Sequence, residues 1–472
     1  MDDEPGVPRS VHSMIQTLLD YYRIPLQALG DISLTADSAS GEIGFFQFGT
    51  RNICYGRCKS GAARNVAGSG EFDALKDVRR DSTTIQMPFD FTEVVENLRL
   101  ERYRQKSSRA LELLATSEPA RRLYYLIRKF LPFSVRRQLQ RAYFSDWQKL
   151  RFPTWPVDFT VDTLHEEFLR LLMETSNTKK VPFIWFWPKG ALNCLVMTHD
   201  VETSAGRDFT FKLIDLDDSY GIKSSFQVIP EMRYEVSDEY VREIRSRGCE
   251  FNIHDLNHDG HLYREREEFV RRAAGINGYV HRYNSRGFRA GSMYRRQEWF
   301  DVFEFFYDMS VPNAAHLEPV RGGCCTVMPY FIGKIVELPL TTAQDYSLFH
   351  ILNDYSIHLW KQQLTVIRER NGLMSFLTHP DYLIERRAHS VYESLLDYLR
   401  QMVLRERVWA ALPGGVDRWW RARSQMRLVS RGDEWEIVGP EKERARLAYA
   451  VLDGGRLVYE LAVVPPRQNV LS

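Results

Sequence analysis

The chain has 472 residues, 44% hydrophobic and 26% charged, with a formal net charge of +1. That length allows about two to four domains, and near-neutrality excludes an overall field drawing the protein to nucleic acid, so no nucleic-acid partner is expected. The first residues, MDDEPGVPRSVHSMIQ, lack a basic segment followed by an apolar one, and the most apolar window, VPFIWFWP at 181–188, is too short to span a bilayer, so a cytoplasmic protein is expected.

Residues 1–100 read as an N-terminal segment. Alternation in GEIGFFQFGTRNICYG predicts a β-hairpin, and residues 61–82, rich in Gly, Ala, Ser and Asp, predict a loop. Six cysteines in this length do not make a disulfide framework. Cys54 and Cys58 lack a second Cys/His pair nearby to complete a zinc knuckle, and Cys324 and Cys325 read as core or loop thiols. From FTEVVENLRLERY to about residue 149 the pattern is helical, and residues 101–182 read as a basic helical linker. Positions 101–150 hold 12 Lys/Arg against 4 Asp/Glu. Two readings of RRLYYLIRKFLPFSVRRQLQRAYF stay open. It packs an apolar stripe on the next domain, or residues 119–144 make a peripheral contact with an anionic membrane.

From about 183 to 415 short β-rich runs alternate with helices. Candidate strands are 192–199, 224–229, 249–254, 287–290, 307–311, 334–339 and 373–378. SDEYVREIRSRG, between the second and third, opens on the cap candidates Ser237 and Asp238 and closes at Gly248. Seven such units imply an α/β domain with a parallel sheet in a closed or nearly closed barrel, reactive groups at the strands' carboxyl ends. TrpPhe at 299–300 with Phe303, Phe305 and Phe306 reads as core. Residues 425–472 alternate with period two around RGD at 431–433 and DGG at 453–455, a small antiparallel β module. Joined to the hairpin near residue 45, it would make one accessory sheet.

The polar residues ending those strands are Asp200 and Glu202, His254 and His258, Arg289, Asp308, and His379. His254 and His258 are spaced i, i+4, so on a helical turn both imidazoles point one way. Two imidazoles and one carboxylate are a recurrent ligand set for zinc and other divalent ions. Asp200 and Glu202 share a strand face, and two adjacent carboxylates divide naturally into one ligand and one base. His379, across the mouth, is placed to protonate a leaving amine. His261 reads as a rim residue, Asp259 as a partner of a ligand imidazole or a turn former, and Asp345 as a substrate contact or helix cap.

The order THDVE, HDLNH, FRAG, YDMS and LTHP resembles the NodB-homology domain of polysaccharide deacetylases, carbohydrate esterase family 4, over about residues 188–412. The resemblance implies a distorted (β/α)7 barrel that removes N- or O-acetyl groups from glycans with a divalent metal, zinc first, with cobalt, nickel or manganese as alternatives. It makes Asp200 the base, Arg289 its orienting partner, His254 and His258 metal ligands, Asp308 the tuner of the acid and His379 the acid. Val201 replaces the usual metal-binding Asp, so that role passes to Glu202, and Gly291-Ser292 replaces a Pro-Tyr. The implied substrate is a glycan or a lipid- or nucleotide-linked sugar. Alternatives are a glycan-binding scaffold that has lost turnover and an amidase acting on a non-sugar C–N bond.

Overall fold

The structure, a computed structural model, describes residues 9–106 apart from 31, 38–40, 50–51, 65 and 67–71, then 138, 141 and 143–462 apart from 433. Apart from residues 138, 141, 143 and 144, the basic stretch 119–144 lies outside the described residues. The chain opens with α1 (Arg9–Tyr22), β1 (Ser33–Ala36), β2 (Glu42–Gln47), β3 (Ile53–Cys58), β4 (Arg79–Arg80), β5 (Thr84–Met87) and α2 (Phe91–Arg99). β2 and β3 form an antiparallel hairpin, Glu42 opposite Cys58. β1, β5 and β4 form a separate small sheet. The Asp90 carboxylate caps α2 by accepting from the Glu93 N–H at 3.0 Å. Phe91, Val94, Val95 and Leu98 are its buried stripe.

α3 (Thr160–Thr175) and β6 (Lys180–Ile184) precede the strand–helix alternation. That alternation runs β7 (Asn193–Val201), α4 (Ser204–Ser219), β8 (Ser224–Val228), α5 (Asp238–Ser246), β9 (Glu250–His254), α6 (Arg266–Arg282) and β10 (Gly287–Arg289). It continues through β11 (Tyr307–Asp308), β12 (Tyr330–Ile332), β13 (Ile335–Glu337), α7 (His358–Glu369), β14 (Leu373–Thr378), α8 (Arg386–Arg405) and β15 (Val408–Ala410). All seven expected strands are present, in the order β13-β11-β10-β9-β8-β7-β14. Every neighbouring pair among these seven is parallel. Two short strands escaped expectation: β12 pairs antiparallel to β13, and β15 pairs with the start of β7.

β7 is buried along all nine residues, as a parallel strand covered on both faces must be. α5 is capped as its sequence suggests: the Ser237 hydroxyl accepts from the Tyr240 N–H at 3.1 Å, and Gly248 ends the turn at φ +73°. The sheet curls until its two ends meet. The Thr341 and Thr342 hydroxyls, beyond β13, donate to the Leu373 and Ser375 carbonyls of β14 at 2.7 and 2.8 Å. On the inner face, register aligns Asp200 with Gln227, Gln227 with Asn252, and His254 with Arg289. At Gly287 an added Cβ would lie 2.2 Å from the Tyr307 ring. Its absence lets the Tyr307 hydroxyl accept from Asn252 at 2.7 Å and donate to Glu250 at 2.8 Å, filling the inner face with hydrogen bonds.

The chain ends with α9 (Pro413–Gln425), β16 (Arg427–Arg431), β17 (Glu434–Val438), β18 (Leu447–Asp453) and β19 (Arg456–Leu461). The accessory sheet differs from expectation. β16 and β17 pair alone, β18 lies between β19 and β6, and the β2–β3 hairpin joins neither. The reason lies in VPFI at 181–184: all four residues are buried, and β18 pairs with this strand along its whole length. The expected boundary at 182 therefore falls inside a strand. One hydrophobic cluster takes in Leu18, Phe89, Phe168, Phe183 and Trp419 together with Tyr307, Val336 and Leu373 of the curled sheet. Among the described residues no helix is long and apolar enough to cross a membrane.

Candidate metal centre and active site

β7 delivers Asp200 and, one residue beyond its end, Glu202; β9 ends in His254, β10 in Arg289, and His379 follows β14. Parallel neighbours bring these ends to one rim. Glu202 Oε1 is 2.9 Å from His258 Nε2, 3.5 Å from His254 Nε2 and 3.6 Å from His379 Nε2. Asp200 Oδ2 is 3.6 Å from His254 Nε2. Val201, between the two acids, is fully buried in the apolar cluster on the other face, so strand parity hands the carboxylate position to Glu202.

The donor set suits a divalent ion. One ligand atom each from Glu202, His254 and His258 lies within 4.8 Å of the others. His254 Nδ1 faces the Arg289 carbonyl at 3.1 Å, and a carbonyl only accepts, so the proton sits on Nδ1 and the Nε2 lone pair is free. Nε2 of both histidines is buried without a hydrogen-bond partner; the 2.9 Å approach of His258 to Glu202 lacks hydrogen-bond geometry. Buried ring nitrogens left this way are costly unless a ligand takes them. The two histidines do not share a helical turn. His254 ends a strand and His258 lies in a turn with left-handed residues at Asp255 (φ +56°) and His258 (φ +54°), which brings the ring centroids to 5.0 Å.

Electrostatics follow the same grouping. Burial alone would raise the Glu202 carboxyl; the charge of His258 above all, with the imidazoles of His254 and His379 beside it, holds it well below its ordinary value. Burial would lower His258, and Glu202 raises it instead. Asp200 Oδ1 accepts from Arg289 Nη1 at 2.8 Å; the same nitrogen donates to Thr198 Oγ1 and Arg289 Nε donates to the Met309 carbonyl. Asp345 accepts from both His379 Nδ1 and the His379 backbone N–H, each at 2.7 Å. Burial would lower His379, but Asp345 and then Glu202 hold it well above its ordinary value.

No protein-family model and no curated protein matches the chain. Solved structures do. An assigned polysaccharide deacetylase from Mycobacterium smegmatis is 17% identical, over 53% of this chain and 98% of that one, with a TM-score of 0.42. The allantoinase Puue is 12% identical, over 50% of this chain and 92% of that one, with a TM-score of 0.38. A family 4 acetyl xylan esterase from Clostridium thermocellum, solved with a cobalt ion, is 14% identical, over 48% and 91%, with a TM-score of 0.32. Many of the matched structures are polysaccharide deacetylases.

Two acids depart from expectation. Asp308 does not reach His379. It aligns with Phe288 and Glu337 rather than with Arg289, accepts from the Ser310 hydroxyl at 2.7 Å, and shares full burial with Glu337. Burial drives both carboxyls up, and Asp308 pushes Glu337 further. The carboxylate bonded to His379 is Asp345, which is fully buried and also accepts from the Tyr346 N–H at 2.7 Å at the start of the turn that follows. Asp259 is paired with Arg272 at 2.7 and 2.8 Å and accepts from the His261 N–H, so it serves the turn, not a ligand imidazole. All six cysteines are buried and free, and among the described residues only the Glu202 group has ligand geometry for a metal. Phe300, Phe303 and Phe305 are core; Phe306 is exposed under Arg286. Two residues were missed. Asp381 keeps one carboxylate oxygen buried without a partner and feels His379 and Glu202, and the Tyr382 ring centroid is 4.7 Å from that of His379. Their signal was adjacency: both follow His379 in LTHPDY.

Proposed function

We propose that this protein is a metal-dependent deacetylase that removes N- or O-linked acetyl groups from a glycan or a glycan precursor, on a distorted (β/α)7 barrel. The observation that carries this reading is the meeting of Glu202, His254 and His258 with the Asp200–Arg289 and His379–Asp345 pairs on one rim. Glu202, His254 and His258 would hold the ion, zinc by ligand type, with cobalt, nickel or manganese as alternatives. A divalent ion there supplies Lewis acidity and an acidified water. Asp200, fixed by the Arg289 guanidinium, is the base that accepts the proton of the attacking water. His379, kept protonated by Asp345, gives its proton to the departing amine or alkoxide. The N–H and O–H groups thus end where they are needed: Asp200 gains one proton and His379 loses one.

The test joins metal analysis to acetate release from chitooligosaccharides and a nucleotide-linked amino sugar. The expected result is about one equivalent of metal and metal-dependent acetate release. Less than a tenth of an equivalent, with His254→Ala changing nothing, defeats the reading. Metal and glycan binding without acetate points to a scaffold that has lost turnover; Glu202, grouped with the two histidines where Val201 offers no carboxylate, supports turnover instead.

A further inference from the structure

One groove outside this site concentrates positive charge on side chains that, among the described residues, make no ion pair. It has a volume of about 730 Å³ and lies between the start of α7 and the first half of α8, lined by His358, Lys361, Arg386, Arg387, Ser390 and Ser394 among others. Among the described residues Lys361, Arg386 and Arg387 make no ion pair. Aromatic rings prop two of them instead: Arg387 lies 3.9 Å from the Tyr355 centroid and Lys361 4.8 Å from that of Tyr398. The one acid on the groove wall, Glu385, is engaged in capping α8 and accepts from the Arg387 and Ala388 N–H groups.

These cations stand where local stability would not put them. Neither α7 nor α8 has an acid in its first turn, and cations there oppose the helix macrodipole. Only Glu385, at the cap of α8, offsets them, and local rules broken with so little compensation mark functional surfaces. Backbone turns also link the groove wall to His379. The Tyr382 N–H donates to the His379 carbonyl and the Glu385 N–H to the Tyr382 carbonyl, so two successive turns join His379 to the groove wall.

We propose that this groove binds the phosphate or diphosphate of a glycosyl phosphate, so that the substrate is a carrier-linked sugar with its acetyl group at the His379 rim. Two guanidinium forks, an ammonium and serine hydroxyls match phosphate oxygens, and the concentration of charge in one pocket suits a compact polyanion better than an extended acidic chain. The role as substrate subsite rests on the deacetylase reading; anion binding by the groove does not.

The test is calorimetric titration of inorganic pyrophosphate into the full chain, a Lys361→Ala/Arg386→Ala/Arg387→Ala variant, and an exposed control, Arg427→Ala. The expected result is binding that weakens at least about tenfold in the triple variant alone, with a shallower salt dependence. KM for acetylated sugar diphosphates should rise by a similar factor with kcat much less affected; a nucleotide-linked and a short-chain lipid-linked substrate tell which carrier is used. Equal pyrophosphate affinity in all three chains overturns the groove, as does preferential binding of a polygalacturonate oligomer. Pyrophosphate binding lost in the triple variant while KM stays unchanged overturns its role as a substrate subsite. Groove binding without acetate release from any substrate sinks the deacetylase reading and leaves the anion site standing.

Discussion

His379 is held by one carboxylate through two hydrogen bonds, and that geometry makes its role separable from metal binding. His379→Gln is expected to lower kcat by about 10²- to 10⁴-fold with metal content unchanged. Asp345→Asn removes the charge that raises the imidazole, so its pKa falls. The acid is active while protonated, and the high-pH limb of the kcat profile therefore moves to lower pH; a limb that stays put assigns the acid elsewhere. Glu318 offers a test through stability. Burial pushes its carboxyl from 4.5 up to about 7, against a hydrogen bond from Gln344. Below 4.5 both folded and unfolded chains hold the proton; between 4.5 and 7 only the folded chain does, so stability declines across that window, by roughly 3 kcal/mol. Glu318→Gln should match the parent at pH 4 and exceed it at pH 8 in urea denaturation. The same difference at both pH values refutes this. Asp200, Glu202, His254, Arg289 and His379 were legible because each ends a strand of a parallel sheet. Asp345 was not legible as the histidine's partner, because their contact spans 34 residues and no local pattern records it. Asp308 misled because, at two residues, β11 is too short for parity to be read from its sequence.

At the scale of elements, the site depends on two turns that interlock. The turn after β10 places Gly291 against the turn carrying His258: a Cβ at Gly291 would sit 2.5 Å from Asp255 Oδ2 and 2.9 Å from His258 Cδ2. This explains the glycine where the resemblance anticipates a proline. Arg233 braces the same turn from the other side, donating to the Asn257 and His258 carbonyls at 3.3 and 2.8 Å. Gly291→Ala is expected to displace His258 and weaken metal affinity about 10- to 100-fold, the loss typical of disturbing a ligand's support, with far-ultraviolet circular dichroism unchanged. Parent-like affinity would mean the turns give way freely. The seven parallel strands were readable because each is an apolar run bounded by turn residues. β12 and β15, three residues apiece, carry no period to read. The i, i+4 spacing of His254 and His258 pointed to the right pair for the wrong reason: a left-handed Asp255, a conformation Asp tolerates, does what a helical turn would have done.

For the whole molecule the question is whether the N-terminal region is an appendage or part of the body that carries the candidate site. Composition shifts suggested separate units, but shared cores leave no trace in composition, and the hydrophobic cluster here crosses the expected boundaries. A buried ion pair fastens the same junction. Arg295, fully buried, donates to Glu101 from Nε at 2.7 Å and Nη2 at 2.5 Å, and Glu101 also accepts from the Gly323 N–H at 2.7 Å. The Tyr103 hydroxyl donates to the Gly323 carbonyl at 2.7 Å. Arg295 lies four residues beyond Gly291, so the N-terminal region holds the loop that positions the His258 turn. Glu101→Ala strands a buried guanidinium and should cost about 3–5 kcal/mol, while Glu101→Met/Arg295→Met, which removes both charges, should recover most of that. Both chains should unfold in one transition by fluorescence and by circular dichroism, because no part of the shared core can open alone. Two transitions, or a Glu101→Ala chain as stable as its parent, would make the N-terminal region a separable domain after all.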